Sequence, residues 1–280
     1  MNLKITTLIE NMADEAGKLA FEHGFSVLIE LDGEKLLFDT GQSGDFKKNA
    51  DILDIDLADL SGVVLSHGHY DHTGGVPDLL KALKKKIPFY IGKEFFAPKY
   101  KHLEEDSYKY NGNPFPKELL LEKNSPAELF RVEKDATWLS EKLVLFKNFD
   151  RVTEYEEVNP KFFVKTASGY EQDLFLDEIA LGIVTEQGLV LVVGCSHAGI
   201  VNILEHVKKT VNIPVAAVLG GTHLVEADEK RLAKTVEALK HHGVRTIAVS
   251  HCTGEDGMAL LRKEFPDGFM LNNTGNVMEF

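Results

Sequence analysis

Apolar residues fall in short blocks along the chain, and their spacing predicts a sheet-rich molecule with interspersed helices. Residues 3–9 read as a strand. Phe25–Leu31 and Lys35–Phe38 flank Asp32-Gly33, a pair that supplies the positive φ angles of a tight hairpin, so the sheet begins antiparallel. Gly62–Ser66 is a short continuous apolar run and predicts a buried strand. After it the glycines of HGHYDHTGG yield to VPDLLKALKKK, where apolar residues recur at helical spacing. Pro88–Gly92 predicts the next strand. From about Lys93 to Gln172 the pattern turns irregular, because FFAPKY, YKYNGNPFP and NSP mix aromatic residues with turn formers, and this predicts an inserted lid or cap. Alternation returns in Glu178–Thr185, a Gln187-Gly188 turn and Leu189–Val193, which together predict a second central hairpin. A helix is expected over Gly199–Lys209, then a strand at 214–219, a helix at 228–242, a strand at 246–250 and a helix at 255–264. Both halves supply strands and helices, so the expectation is an α/β chain forming one domain over 1–280 with an irregular insertion at about 93–172.

Composition narrows the partners. With 280 residues, 44% of them hydrophobic, the chain can bury a large core. Its formal net charge of −13 repels nucleic acid and anionic membranes at long range, so neither is an expected partner. Cys195 and Cys252 are too few for a disulfide framework, and the opening MNLKITTLIENMADEAG lacks the apolar run of a signal peptide. A reducing, cytoplasmic location is therefore expected. No apolar stretch reaches the roughly 20 residues of a membrane span. Oligomeric state leaves no signal.

The chemistry concentrates after the strand at 62–66. In His67-Gly68-His69-Tyr70-Asp71-His72, four metal-ligating side chains fall within six residues. His67 and His69 are two apart and project to one side of extended chain, while Gly68 lets the backbone turn tightly about an ion. Asp71 and His72 follow a turn later, placed for a second ion close by. Such donors suit zinc first, and iron or manganese as well. Asp39 in LFDTG is expected to orient a ligand histidine rather than to ligate. In LGGTHL, Gly220-Gly221 can present backbone N–H groups to an anion, with His223 adding a donor or positive charge. His23 in EHGFS is expected to be structural. Tyr100, Tyr108, Tyr110 and Phe115 in the irregular stretch are candidates to stack on a planar ring.

HGHYDH matches the His-x-His-x-Asp-His signature of the metallo-β-lactamase superfamily, and LFDTG resembles its upstream companion. The resemblance implies an αββα sandwich with one or two divalent metals at one edge. It further implies that His197 in GCSHAGI completes a first site with His67 and His69, and that His251 completes a second with Asp71 and His72. One departure stands out: the strand expected to deliver a bridging carboxylate ends in Gly194-Cys195-Ser196, which leaves Cys195 as a candidate thiolate ligand, while Cys252 is expected to be an ordinary buried residue. More narrowly, EHGFS, LFDTG, LSHGHYDHTGG, VVGCSHAGI, GGTHL and SHCTG resemble the branch that holds the archaeal enzyme condensing a dihydropterin with ribofuranosylaminobenzene phosphate. The expected function is thus a metalloenzyme acting on a small, anionic phosphorylated or heteroaromatic, pterin-like substrate. Asp71 would orient water and His223 would steady the developing anion. The alternative is a ligand-binding or redox protein that holds iron in the same fold without hydrolysis.

Overall fold

The structure is a computed structural model and describes residues 1–104 and 107–280. In chain order the elements are β1 (Leu3–Ile9), β2 (Ser26–Leu31), β3 (Glu34–Phe38), α1 (Asp45–Ile52), β4 (Gly62–Val64), α2 (Tyr70–Thr73), α3 (Val76–Ala82) and β5 (Ile87–Ile91). There follow β6 (Lys99–His102), β7 (Tyr108–Tyr110), α4 (Glu118–Leu121), β8 (Ala127–Arg131), β9 (Ala136–Trp138), β10 (Leu143–Phe146), β11 (Phe162–Thr166) and β12 (Gly169–Gln172). The remainder is β13 (Ala180–Thr185), β14 (Gly188–Val193), α5 (Ile200–Val211), β15 (Val215–Gly220), α6 (Glu229–His241), β16 (Thr246–Val249), α7 (Glu255–Glu264), β17 (Phe269–Leu271) and β18 (Val277–Glu279). They form two compact units. One comprises 1–131, 159–177 and 273–280, the other 132–158 and 178–272.

In the first unit, a seven-stranded sheet runs β18-β1-β2-β3-β4-β5-β8. The hairpin β2–β3 closes at Asp32 (φ 50°) and Gly33 (φ 93°), the left-handed pair that a two-residue turn needs. From β3 onward the neighbours are parallel. Leu37, Val63 and Phe89 of these strands pack with Phe46 of α1 and with Val76 and Leu79 of α3 in one buried cluster. The same unit holds a four-stranded antiparallel sheet, β12-β11-β6-β7.

The second unit has its own seven-stranded sheet, β17-β16-β15-β14-β13-β10-β9. β13 and β14 are the expected hairpin, after which β14, β15, β16 and β17 run parallel. Alternate positions of β14 put Leu191 and Val193 on one face, where they join Ile203 and Val207 of α5 and Val236 of α6 in a second buried cluster. α6 starts where Asp228 accepts the N–H of Arg231 at 2.7 Å, a side-chain cap of the usual kind.

The stretch expected to be irregular contains seven strands and a one-turn helix among the described residues. β8 extends the first large sheet, β9 and β10 extend the second, and the rest makes the four-stranded sheet. These strands are only three to five residues long, too short for alternation to stand out between Pro, Gly and Asn.

Candidate metal centre

In the first unit the candidate residues sit past the carboxyl ends of parallel strands, the usual place for a site in such sheets. Asp39 follows β3, and His67, His69, Asp71 and His72 follow β4. The close spacing brings the imidazoles together: the His67 ring centroid lies 4.6 Å from that of His69 and 4.2 Å from that of His72. All three rings are buried. Gly68 is obligatory for steric reasons, since a Cβ there would lie 2.4 Å from the carbonyl oxygen of Phe95.

One buried carboxylate orients two of these rings. Nδ1 of His72 donates to Oδ2 of Asp39 at 2.7 Å. Ser66 Oγ donates to the same oxygen at 2.6 Å and lies 2.9 Å from Nδ1 of His67, so the hydroxyl relays Asp39 to the second ring. Ser66 N–H donates to Oδ1 at 2.7 Å. Burial pushes the Asp39 carboxyl up, while His72 and Ser66 pull it back. Engaging each Nδ1 in this way assigns Nε2 of both rings to a cation. The side-chain amide nitrogen of Asn111 lies 3.3 Å from Nε2 of His69. Phe162 and Phe175 pack on the His69 ring at 5.3 and 5.6 Å.

Asp71 Oδ2 lies 3.9 Å from Nε2 of His72. Two donors at about 2.1 Å from one ion are at most about 4.2 Å apart, so this pair fits a shared cation. His23, expected to be structural, places Nε2 3.2 Å from the same Asp71 oxygen.

The second unit carries its candidates on three loops that follow β14, β15 and β16. Ser196, His223 and His251 all have left-handed backbone, at φ 58°, 46° and 49°. Cys195, His251 and Cys252 offer ligand atoms that all lie within 4.8 Å of one another. Cys252 thus joins a donor cluster that its sequence context does not suggest. Gly221 makes room for it, as a Cβ there would meet Cys252 Sγ at 2.5 Å. His197 lies beside His223, with ring centroids 4.6 Å apart.

The backbone cradle expected at Gly220-Gly221 is not formed. Gly221 N–H donates to the carbonyl of Gly194 at 2.9 Å, Thr222 N–H to Thr253 Oγ1 at 3.3 Å and His223 N–H to Cys252 Sγ at 3.3 Å. These amides are used in holding the three loops together, so any role toward an anion falls to the His223 ring. The expected stacking platform is also corrected. Tyr108 stacks on Tyr170 at 3.7 Å and 1°, Tyr100 packs edge-on against Tyr110 and Tyr170, and Phe115 lies in the first unit's core.

Imidazole, carboxylate and thiol donors, buried and gathered in this manner, fit a divalent transition metal. No helix among the described residues is long and apolar enough to cross a membrane.

Comparison with known proteins identifies the family. Residues 19–144 match the model of the Metallo-beta-lactamase superfamily. The chain is 31% identical to the 7,8-dihydropterin-6-methyl-4-(beta-D-ribofuranosyl)-aminobenzene-5'-phosphate synthase of Methanocaldococcus jannaschii, over 100% of this chain and 97% of that one. It is 30% identical to an uncharacterized protein of the same organism, over 98% and 99% of the two chains. Among solved structures, a metal-dependent hydrolase of the beta-lactamase superfamily is similar at a TM-score of 0.85 and 32% identity, with 99% of each chain covered. That likeness establishes the mixed α/β fold of the family.

Proposed function

Since the chain belongs to the metallo-β-lactamase superfamily and is an enzyme, we propose that its ligand loops serve a metal centre acting on a small phosphorylated or heteroaromatic, pterin-like substrate. His67, His69 and His197 would hold a first divalent metal, zinc by its donor preference. Asp71, His72 and His251 would hold a second, with Cys195 in the place of a bridging carboxylate. A bound metal of this kind supplies Lewis acidity and lowers the pKa of water.

The residues of the chain do the rest. Asp71, steadied by His23, orients a water or a substrate hydroxyl by accepting its proton in a hydrogen bond. His223 meets negative charge developing on the substrate. Asp39 and Ser66 keep the rings of His67 and His72 in one tautomer and one orientation. That relay is the observation carrying the reading, because a buried carboxylate wired to two clustered imidazoles prepares donor nitrogens before any ligand arrives.

The pterin preference is supported by relatedness to the synthase over the full chain, and hydrolysis by relatedness to the metal-dependent hydrolase. Elemental analysis of protein purified without added metal, followed by a panel of phosphoesters and reduced pterins, tests both. Stoichiometric transition metal with turnover of a panel member is expected. Protein that carries no metal and takes none up would end the reading.

A further inference from the structure

Asp177 and Glu178 are consecutive in the chain, and each is buried. Asp177 closes a segment of the first unit and Glu178 opens the next segment of the second. Within the first unit, Oδ2 of Asp177 accepts the N–H of Gly68 at 2.7 Å, between His67 and His69. Its Oδ1 accepts from Nζ of Lys99 at 3.0 Å, and the same ammonium donates to Asp173 at 2.7 Å. Lys99 is only 2% exposed. Within the second unit, Glu178 Oε1 accepts the N–H of His197 at 2.6 Å and Oε2 that of Ala198 at 2.7 Å. Arg151 grips the same loop through its carbonyls, at 3.1 Å from His197 O and 3.1 Å from Ala198 O.

Burying a carboxylate is costly, and apolar side chains of similar volume commonly serve packing at least as well. What a buried carboxylate adds is direction, since charge-assisted bonds to backbone N–H groups are short and strong. Here the direction is informative: Asp177 bonds the backbone between the candidate ligands His67 and His69, and Glu178 bonds the backbone of the candidate ligand His197, one acid in each unit. We propose that Asp177 and Glu178 are positioning residues for the metal ligands, Asp177 fixing the loop of His67 and His69 and Glu178 fixing the loop of His197. Lys99, on β6, neutralises Asp177 and so ties the four-stranded sheet to the ligand loop. The inference rests on the metal-centre reading.

The test compares Asp177→Asn and Glu178→Gln with two control variants. Asp173→Asn alters the Lys99 pair without touching Gly68. Glu156→Gln alters a carboxylate that accepts from Val201 and Asn202 N–H but not from His197. Zinc affinity is measured by chelator competition, alongside thermal unfolding of the metal-free protein. Asp177→Asn and Glu178→Gln are expected to weaken zinc binding by about 10–100-fold, as loss of partners behind metal ligands does. The controls should lower the unfolding temperature and leave zinc affinity as it is. Affinity unchanged at 177 and 178, or lost equally in the controls, would overturn the proposal while leaving the metal centre standing. An unaltered protein that takes up no zinc overturns both. Should a variant fail to fold, amide hydrogen exchange at Gly68 and His197 of the unaltered protein decides: slow exchange, matching the core strands, supports the proposal, and rapid exchange overturns it.

Discussion

The loop at 66–73 and the three loops of the second unit both carry histidine donors, joined by Asp71 in the one and by Cys195 and Cys252 in the other, yet they hold them by different means. In the first, the donors are nearly consecutive and their rings are set by side chains: Asp39 through Ser66 and directly, and Asn111 at His69. In the second, the donors come from loops far apart in sequence, and left-handed φ at Ser196, His223 and His251 adds to the hold of the Glu178 and Arg151 side chains on the His197 loop. Left-handed backbone costs roughly 1–2 kcal/mol at a residue other than glycine, so three such residues around one donor cluster represent local strain that the surrounding structure holds in place. A ligand set can thus be preorganised either by orienting rings from a carboxylate whose own backbone is left-handed, as at Asp39 (φ 59°), or by bending the backbone of the donor loops themselves.

The largest effect expected from this contrast is loss of metal. His67→Ala or His69→Ala should reduce zinc affinity by more than the roughly 10–100-fold that follows loss of a partner behind a ligand. Metal analysis after gel filtration checks this, and full metal content in both variants would remove the first loop from the centre. Next comes His223→Ala, which should keep the metal and lower kcat by about 10²–10³, as loss of one anion-stabilising donor does. If metal leaves instead, His223 is a ligand and the second unit contributes more donors than assigned.

How much of this is legible in the sequence follows from the same contrast. HGHYDH is dense enough to be read directly, and Asp39, expected to orient a histidine, bonds the ring of His72. Asn111, Asp177, Glu178 and Arg151 escape sequence reasoning, because a hydrogen bond to a ring, a backbone N–H or a backbone carbonyl across tens of residues leaves no spacing pattern. Cys252 escapes for a related reason: its proximity to Cys195 depends on the adjacent parallel strands β14, β15 and β16, which a linear pattern does not display. The strands β1, β2–β3 and β13–β14 are legible because they are long or hairpin-linked, whereas β6 to β12 are too short and too rich in turn formers.

Two smaller predictions sharpen the comparison. Gly68→Ala and Gly221→Ala should each destabilise by about 1–3 kcal/mol through overcrowding, measured by urea denaturation. The first should cost more, because its Cβ would meet the Phe95 carbonyl at 2.4 Å, whereas the first obstacle at Gly221 is the Cys252 side chain at 2.5 Å. An equal or reversed order would mean that the strained loops yield less than the side-chain-held one. The smallest effect concerns pH. Burial raises the Glu156 carboxyl above its ordinary value of 4.5, against the pull of the Val201 and Asn202 N–H groups. Between the ordinary and the raised value the folded state holds the extra proton, so stability should fall as pH rises through that window. Glu156→Gln should flatten this slope in denaturation followed across pH, and an unchanged slope would assign it to another group.

The last strand has a consequence for the order of assembly. β18 pairs with β1, with Ile5 opposite Met278, so the outer side of β1 is covered by residues more than 270 positions downstream. During synthesis from the N-terminus, β1 must wait with that edge unpaired while the entire second unit is made. An open strand edge is a template for pairing with other chains, and contacts of such long sequence separation form slowly. The nascent protein is therefore most vulnerable to wrong association late, after both ligand loops have been made and just before residues 277–279 emerge.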